Sequence, residues 1–177
     1  YKRGIDFIQI PTSLLAMVDA SIGGKLGFDF NNLKNQIGLF NDPQSVYINP
    51  GFLKTLDQRQ LKSGFAEIVK HALIADQKYW NILLNLEFRD ADWHNIILTS
   101  LEIKNEIVKT DPKEQNIRKT LNFGHTIGHA VESYYLNKNQ EVSHGEAITL
   151  GMIIESKMSD LPKEKKQEIE NYMKANF

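Results

Sequence analysis

Apolar positions recur along most of this chain with the 3.6-residue period of amphipathic helices. Leu61, Phe65, Ile68, Val69 and Ala72 form one stripe and predict a helix over residues 58–75. Trp80, Leu83 and Leu84 predict a second over 77–86. Ile96, Ile97, Ile103 and Ile107 predict a third over 92–110, ended by Asp111-Pro112. Ile148, Met152 and Ile153 run through a helix over about 144–157. Ser143 as N-cap with Glu146 at N3 reads as a capping box at its start. Pro162 opens a last helix, 163–176, whose Lys-Glu-Lys-Lys-Gln-Glu face is solvated surface. The pattern is less regular towards the N-terminus. Ile5-Asp-Phe-Ile-Gln-Ile10 alternates and reads as a short strand, as does Val46-Tyr-Ile48. Between them, residues 13–21 read as a helix with Leu14, Leu15 and Val18 inward and Asp19 near its end. Residues 31–36 are a polar run, and 51–56 a short helix. The expected fold is mainly α, multi-helical, with strand remnants near the N-terminus. Residues 1–50 form a connecting segment with short strands, a helix and a Gly-Gly-Lys loop, and residues 51–177 a helical domain.

One stretch departs from this ordinary patterning: Leu121-Asn-Phe-Gly-His-Thr-Ile-Gly-His-Ala130. It holds two of the chain's five histidines, four residues apart. On a helix that spacing puts both imidazoles on one face. Extending the helix backwards adds Asn122 and Arg118 to the same face, all within about 60° at 100° per residue. Phe123, Ile127, Ala130, Val131 and Tyr134 form the opposite, core-facing stripe. A face of His, Asn, His and Arg suits a lined pocket better than bulk water. Gly124 and Gly128 repeat the i, i+4 spacing and point to close approach of another backbone. The histidine pair by itself reads either as structural or as part of a metal or catalytic site. His144, at the start of its helix, is a third imidazole with no capping duty, and helix-borne histidines with one carboxylate are a usual set for catalytic zinc.

Composition narrows the chemistry. A net charge of −1 gives no support for a nucleic-acid or acidic-membrane partner. There is no cysteine, so any metal must be held by histidine and carboxylate. No stretch approaches 18 unbroken apolar residues and no signal peptide is visible, so a soluble, cytoplasmic protein is expected. At 177 residues and 41% hydrophobic, one domain with a sizeable core is within reach. Beginning at Tyr1 instead of Met, the chain reads as a fragment.

The remaining candidates read modestly from spacing. Gly23-Gly-Lys25 has the flavour of a phosphate loop but misses the P-loop pattern, with Leu26 where a Ser or Thr would reach Mg²⁺. Glu67 and Lys70 at i, i+3 read as a surface ion pair. Lys104 reads as a snorkelling lysine on the flank of its stripe, and His94 as structural.

Taken together, Arg3-Gly, Ile10-Pro-Thr-Ser-Leu-Leu-Ala-Met-Val-Asp19, Gly23-Gly-Lys25, Lys34-Asn-Gln-Ile-Gly38, Ser63-Gly-Phe-Ala-Glu-Ile-Val-Lys70, Glu102-Ile-Lys104, the 121–129 stretch and His144-Gly-Glu146 resemble the 3-dehydroquinate synthase family, in its order and near its spacings. The resemblance implies a preceding nucleotide-binding domain and a following segment with another active-site lysine. It implies NAD and a divalent metal, usually zinc, in converting 3-deoxy-D-arabino-heptulosonate 7-phosphate into 3-dehydroquinate on the shikimate pathway. Position by position, Glu67, His125 and His144 match metal ligands. His129 matches a substrate-side residue, which sets aside the idea that both histidines of the pair grip the metal. Lys25, Lys70, Lys104 and Arg118 match cationic positions around a substrate bearing carboxylate and phosphate. Asn35 and Asn122 match hydrogen-bonding positions, and Asp19 and Lys34 positions near nicotinamide or substrate. Arg3 matches a residue reaching the neighbouring subunit's phosphate site, which implies a homodimer. Two departures, Leu26 where Thr is commoner and His71-Ala72 where Tyr-Gly is usual, bear on local packing. Another sugar-phosphate cyclase, such as one acting on sedoheptulose 7-phosphate, and a non-enzymatic helical module are the competing expectations.

Overall fold

The computed structural model describes residues 5–30 and 33–177, and leaves out the side chains of Asp29 and residues 33–36. It is mainly α. Two small sheets lie near the N-terminus. Strands β1 (Ile8–Gln9) and β4 (Ser45–Val46) pair in parallel, Ile8 opposite Ser45. Strands β2 (Lys25–Phe30) and β3 (Leu33–Phe40) pair antiparallel, Lys25 opposite Phe40, with an irregularity between Phe28 and Phe30. The polar run of residues 31–36, to which no element was assigned, enters β3 at Leu33. The alternation of Leu26, Phe28 and Phe30 was the available signal. Phe28, Phe30, Ile37 and Leu39 are exposed, so no buried face marks the hairpin out in this chain.

Six helices follow: α1 (Gln58–Ala75), α2 (Gln77–Leu83), α3 (Trp93–Thr110), α4 (His125–Asn137), α5 (His144–Met158) and α6 (Lys163–Asn176). Most starts are set by local chemistry. Asp57, Asp76 and Asp92 each accept a backbone N–H in the first turn of α1, α2 and α3. The capping box at Ser143 and Glu146 is present. Asn49 caps a 3-10 turn, Pro50–Thr55, where the short helix was expected. Residues 16–20, expected as α-helix, form a π-type turn in which Ser21 N–H reaches the Ala16 carbonyl. No described helix is long and apolar enough to cross a membrane.

α1 runs through the middle, packed by α2, α3, α5 and the 16–20 turn. Residues 63–72 are buried without a break. Phe65, Ile68 and Val69 share one core with Leu14, Met17 and Val18 of the 14–20 segment and with Ile148, Met152 and Met173. A helix enclosed on all sides buries its polar positions too, and this decides the site.

The expected continuous helix through 118–130 is broken. A 3-10 turn, Ile117–Asn122, ends before Gly124, which takes φ +80°, and α4 begins at His125. Ala130 and Tyr134, expected in the core, are exposed, whereas Phe123, Ile127 and Val131 are partly buried. α4 has no cap of its own. The Glu155 carboxylate on α5 accepts from Gly124 N–H at 2.8 Å and Ile127 N–H at 3.2 Å instead. The close approach expected from the glycine pair is present: a Cβ at Gly124 would lie 2.6 Å from Met152 Cγ, and one at Gly128 2.7 Å from Ile148 Cδ1. Gly124→Ala is therefore expected to destabilise the fold by about 2–4 kcal/mol, combining left-handed strain with overpacking. Urea unfolding checks this, and a loss below about 0.5 kcal/mol would show that the bend relaxes freely.

Candidate metal and substrate site

Three helices bring Glu67, His125 and His144 together, from the interior of α1 and the first residues of α4 and α5. Glu67 Oε1 lies 3.3 Å from His144 Nε2 and 3.6 Å from His125 Nε2. Ligand atoms of all three lie within 4.8 Å of one another. Tetrahedral zinc with bonds of about 2.0–2.2 Å needs donors about 3.3 Å apart, so the set fits a divalent cation with little adjustment. Glu67 is fully buried, and its other oxygen, Oε2, is held by the Lys70 ammonium. This pair was read from spacing as a surface one; enclosure of α1 makes it a buried one. His125 Nδ1 faces the Phe123 carbonyl at 3.2 Å and His144 Nδ1 faces Glu132 Oε1 at 3.2 Å. With Nδ1–H donated to those oxygens, the Nε2 atoms, 3.6 and 3.3 Å from Glu67 Oε1, are the ones left for a cation, which would displace the second proton of His144.

The approach of α5 to α1 sets this geometry. Gly145 N–H donates to Ser63 Oγ at 2.9 Å, and a Cβ on Gly145 would sit 2.3 Å from Ser63 Cα. His129 stands beside the three donors, its ring centroid 5.3 Å from that of His125 and 6.5 Å from that of His144, on the exposed side.

A second layer of charge lies behind Glu67. Lys104 donates to the Asp19 carboxylate at 2.7 Å and to the Asp19 carbonyl, and Lys70 lies 4.0 Å from the same carboxylate. Lys104 is thus buried and paired, not snorkelling. Asp19, Glu67 and His71 also offer ligand atoms within 4.8 Å of one another, but Lys70 and Lys104 already neutralise this group. Burial works to raise the Glu67 carboxyl, yet Lys70, His144 and His125 hold it well below the usual range. Asp19 is likewise lowered, Lys104 overcoming burial. Burial and then Lys70 lower His125, and burial lowers Lys104. Burial also opposes charge on His144, but hydrogen bonds to Glu132 and Glu67 outweigh it and raise this imidazole to about 9.

His71 is fully buried, bonded through Nδ1 to Ser100 Oγ at 2.6 Å, and burial with Lys70 pushes it down to about 3. The unfolded chain binds that proton near pH 6.5 while the fold refuses it, so stability falls as pH drops below 6.5. His71→Gln is expected to flatten the stability profile between pH 6.5 and 4.5, removing up to about 1.4 kcal/mol per pH unit. Unfolding curves across that window test this; an unchanged slope contradicts it.

The cationic corner is arranged differently from expectation. Arg118 and Asn122 sit on the 3-10 turn before Gly124, not on the face of α4. The Arg118 guanidinium is buried and donates to the Pro112 carbonyl at 2.8 Å and the Gly23 carbonyl at 3.0 Å, tying the Gly-Gly-Lys turn to residues 111–118. Asp111 organises that loop by accepting from the N–H of Gln115, Asn116 and Arg118. Lys25 and Asn122 converge on one carboxylate, Glu114: Lys25 as an ion pair, and Asn122 Nδ2 donating at 2.7 Å. Glu114 sits at φ +57°, and its carboxyl is lowered by Lys25 and Asn122 against burial. Glu114 and Glu132 were missed in the sequence. Glu132 had a signal, seven residues after His125 and on the same face; Glu114 had none. Arg3 and the side chains of Lys34 and Asn35 lie outside the described residues. His94 is exposed and takes no part.

This helical frame is that of the sugar-phosphate cyclases. It matches ValA, the 2-epi-5-epi-valiolone synthase of Streptomyces hygroscopicus subsp. jinggangensis 5008 with NAD+ and Zn2+ bound, at TM-score 0.89 and 30% identity over 98% of this chain and 51% of that one. It also matches 2-deoxy-scyllo-inosose synthase complexed with carbaglucose-6-phosphate, NAD+ and Co2+, at TM-score 0.79 and 26% identity over 98% and 50% of the two chains. Within that class the chain belongs to the 3-dehydroquinate synthase family, whose N-terminal model matches residues 1–63 and C-terminal model residues 64–176. The 3-dehydroquinate synthase of Parabacteroides distasonis is 44% identical over all of this chain and 52% of its own length. That of Lactococcus lactis subsp. cremoris is 47% identical over 90% and 46%. The chain therefore spans about half the length of the curated relatives it matches.

Proposed function

We propose that this chain carries the metal and substrate site of a 3-dehydroquinate synthase, acting with NAD on 3-deoxy-D-arabino-heptulosonate 7-phosphate to release phosphate and 3-dehydroquinate. The observation that carries this is the convergence of Glu67, His125 and His144. Two imidazoles and one carboxylate leave a bound zinc net positive and an open position for substrate. Held by these three residues, the cation would supply Lewis-acid polarisation of a substrate hydroxyl, and NAD would supply the redox chemistry.

The chain's own residues supply the rest. Lys70 fixes the orientation of the Glu67 carboxylate through Oε2, leaving Oε1 for the cation. Lys70 and Lys104, held against Asp19 and Glu67, place positive charge beside the site where a substrate carboxylate or developing oxyanion needs it. His129, on the open side, is placed to move a substrate proton. Lys25 and Asn122 form an anion cradle in which the Glu114 carboxylate stands where a phosphate oxygen would bind. Arg118 uses guanidinium N–H groups to hold the cradle's two walls together and keeps others of its five for a substrate oxyanion. Asp19 and Lys34 would act near the nicotinamide or the substrate, and Asn35 would hydrogen-bond the substrate. The same reading implies a cytoplasmic homodimer in which Arg3 would serve the neighbouring subunit's phosphate site.

If Glu114 competes with the phosphate, Glu114→Gln binds inorganic phosphate about fivefold more tightly, the scale of one half-exposed ion pair. Calorimetric titration reads this, and weaker binding would show that the carboxylate supports the anion instead of standing in for it.

A second reading, another sugar-phosphate cyclase such as one acting on sedoheptulose 7-phosphate, draws support from the match to the 2-epi-5-epi-valiolone synthase ValA. The higher identity to the two 3-dehydroquinate synthases favours the first. Offering the full-length protein both 3-deoxy-D-arabino-heptulosonate 7-phosphate and sedoheptulose 7-phosphate decides between them. Release of phosphate from the first alone is expected; turnover of the second alone overturns the reading. A purely structural helical module predicts no metal uptake at all.

A further inference from the structure

α4 presents His125, His129 and Glu132 at i, i+4 and i+7, one face of a helix. The first two belong to the site described above. Glu132 is assigned to nothing, yet it is a buried carboxylate, 8% exposed, whose Oε1 lies 3.2 Å from His144 Nδ1. The other nitrogen of the same ring lies 3.3 Å from Glu67 Oε1. His144 is therefore held between two carboxylates on two different helices. The backbone on either side of it is anchored by the Ser143 cap and by Gly145 on Ser63, which leaves the ring orientation to its side-chain contacts. The contact to Glu132 holds the ring plane and favours a proton on Nδ1.

We propose that Glu132 is a positioning residue of the cation site: its carboxylate accepts the Nδ1–H of His144 and thereby presents the Nε2 lone pair to the metal. This rests on the reading of Glu67, His125 and His144 as ligands. A carboxylate behind a ligating imidazole fixes the tautomer and the ring plane and makes the ligand nitrogen more basic. It also explains why a charge is retained at the buried α4–α5 contact, where burial of an unpaired carboxylate is costly. With a cation bound, His144 would stand as a neutral imidazole between the cation and Glu132, its Nδ1–H donated to that carboxylate.

The test is zinc affinity of the full-length protein, by competition with a chromophoric chelator, for wild type, Glu132→Gln, Glu132→Ala and His144→Ala. Glu132→Ala is expected to weaken zinc about 10–100-fold. Glu132→Gln, whose amide oxygen can still accept, is expected to weaken it less but measurably. Nitrogen-15 NMR of the zinc-loaded protein should show a slowly exchanging His144 Nδ1 proton in wild type and the Gln variant. In the Ala variant that proton should exchange rapidly. A purely structural role would lower thermal stability equally with and without zinc and leave affinity unchanged, which overturns the proposal. Should Glu132→Ala fail to fold, the isosteric Gln variant decides: zinc affinity unchanged within error overturns it. Wild type that takes up no zinc brings down the ligand reading itself. Wild type that binds zinc normally, alongside Glu132 variants that bind it equally well, removes Glu132 alone.

Discussion

A Glu67→Ala protein is expected to lose zinc and to lose stability together. The side chain is fully buried, and its two oxygens have separate duties, Oε2 to Lys70 and Oε1 to the two imidazoles. Its removal leaves the Lys70 ammonium buried without its nearest counter-charge, for Asp19 lies 4.0 Å away and is already bonded to Lys104. Breaking a buried pair from one side costs about 3–5 kcal/mol. Zinc affinity should fall by more than the 10–100-fold expected of a supporting residue, because a ligand is gone. Glu67→Gln separates the two effects: it keeps the shape and a polar partner for Lys70 but withdraws the charge, so metal loss should exceed stability loss. Chelator competition and urea unfolding on both variants give the comparison. Full zinc affinity in Glu67→Ala would remove Glu67 from the ligand set.

The complementary prediction concerns the histidine four residues after the first ligand. His129→Ala is expected to lower turnover about 10²–10⁴-fold, the usual range for loss of a positioned proton-transfer group. Zinc affinity should stay within twofold, and stability within about 0.5 kcal/mol, because the side chain is on the exposed side of α4. The rings of His125 and His129 are only 5.3 Å apart, so proximity alone does not separate their roles. The 3.6 Å between His125 Nε2 and Glu67 Oε1 supports His125 as the ligand of the two. A His129→Ala protein that purifies without metal while His125→Ala retains it would exchange the two assignments.

Periodicity alone was a good guide where a helix has one wet face. The limits of α1 follow from Asp57 and from Asp76, and the start of α5 from the Ser143 capping box, because each signal is local even where a helix is enclosed. It misled where tertiary context decides. The bend at Gly124 is invisible to a 3.6-residue count, since His, Asn and Arg keep their spacing whether or not the helix continues. What fixes the bend is Glu155, 31 residues away, satisfying Gly124 N–H. The burial of Glu67 and Lys70 was hidden for a related reason. An amphipathic count shows the most apolar face, not whether the other faces are also covered. Of the site, the ligand candidates His125 and His144 stood out by residue type, whereas Glu67 entered through the family resemblance. The contact of Arg118 with Gly23, 95 residues apart, had no local signature at all. Glu132 did have one. Continuing the His125–His129 face by one more turn reaches it.

The direct measurement is metal content and coordination of the wild-type protein after chelator treatment and reloading with zinc, followed by X-ray absorption at the zinc edge. One zinc per chain is expected, with two imidazole nitrogens and a carboxylate oxygen at about 2.0–2.2 Å. Binding of no stoichiometric metal, or a first shell without imidazole scattering, would contradict a cation gathered by Glu67, His125 and His144.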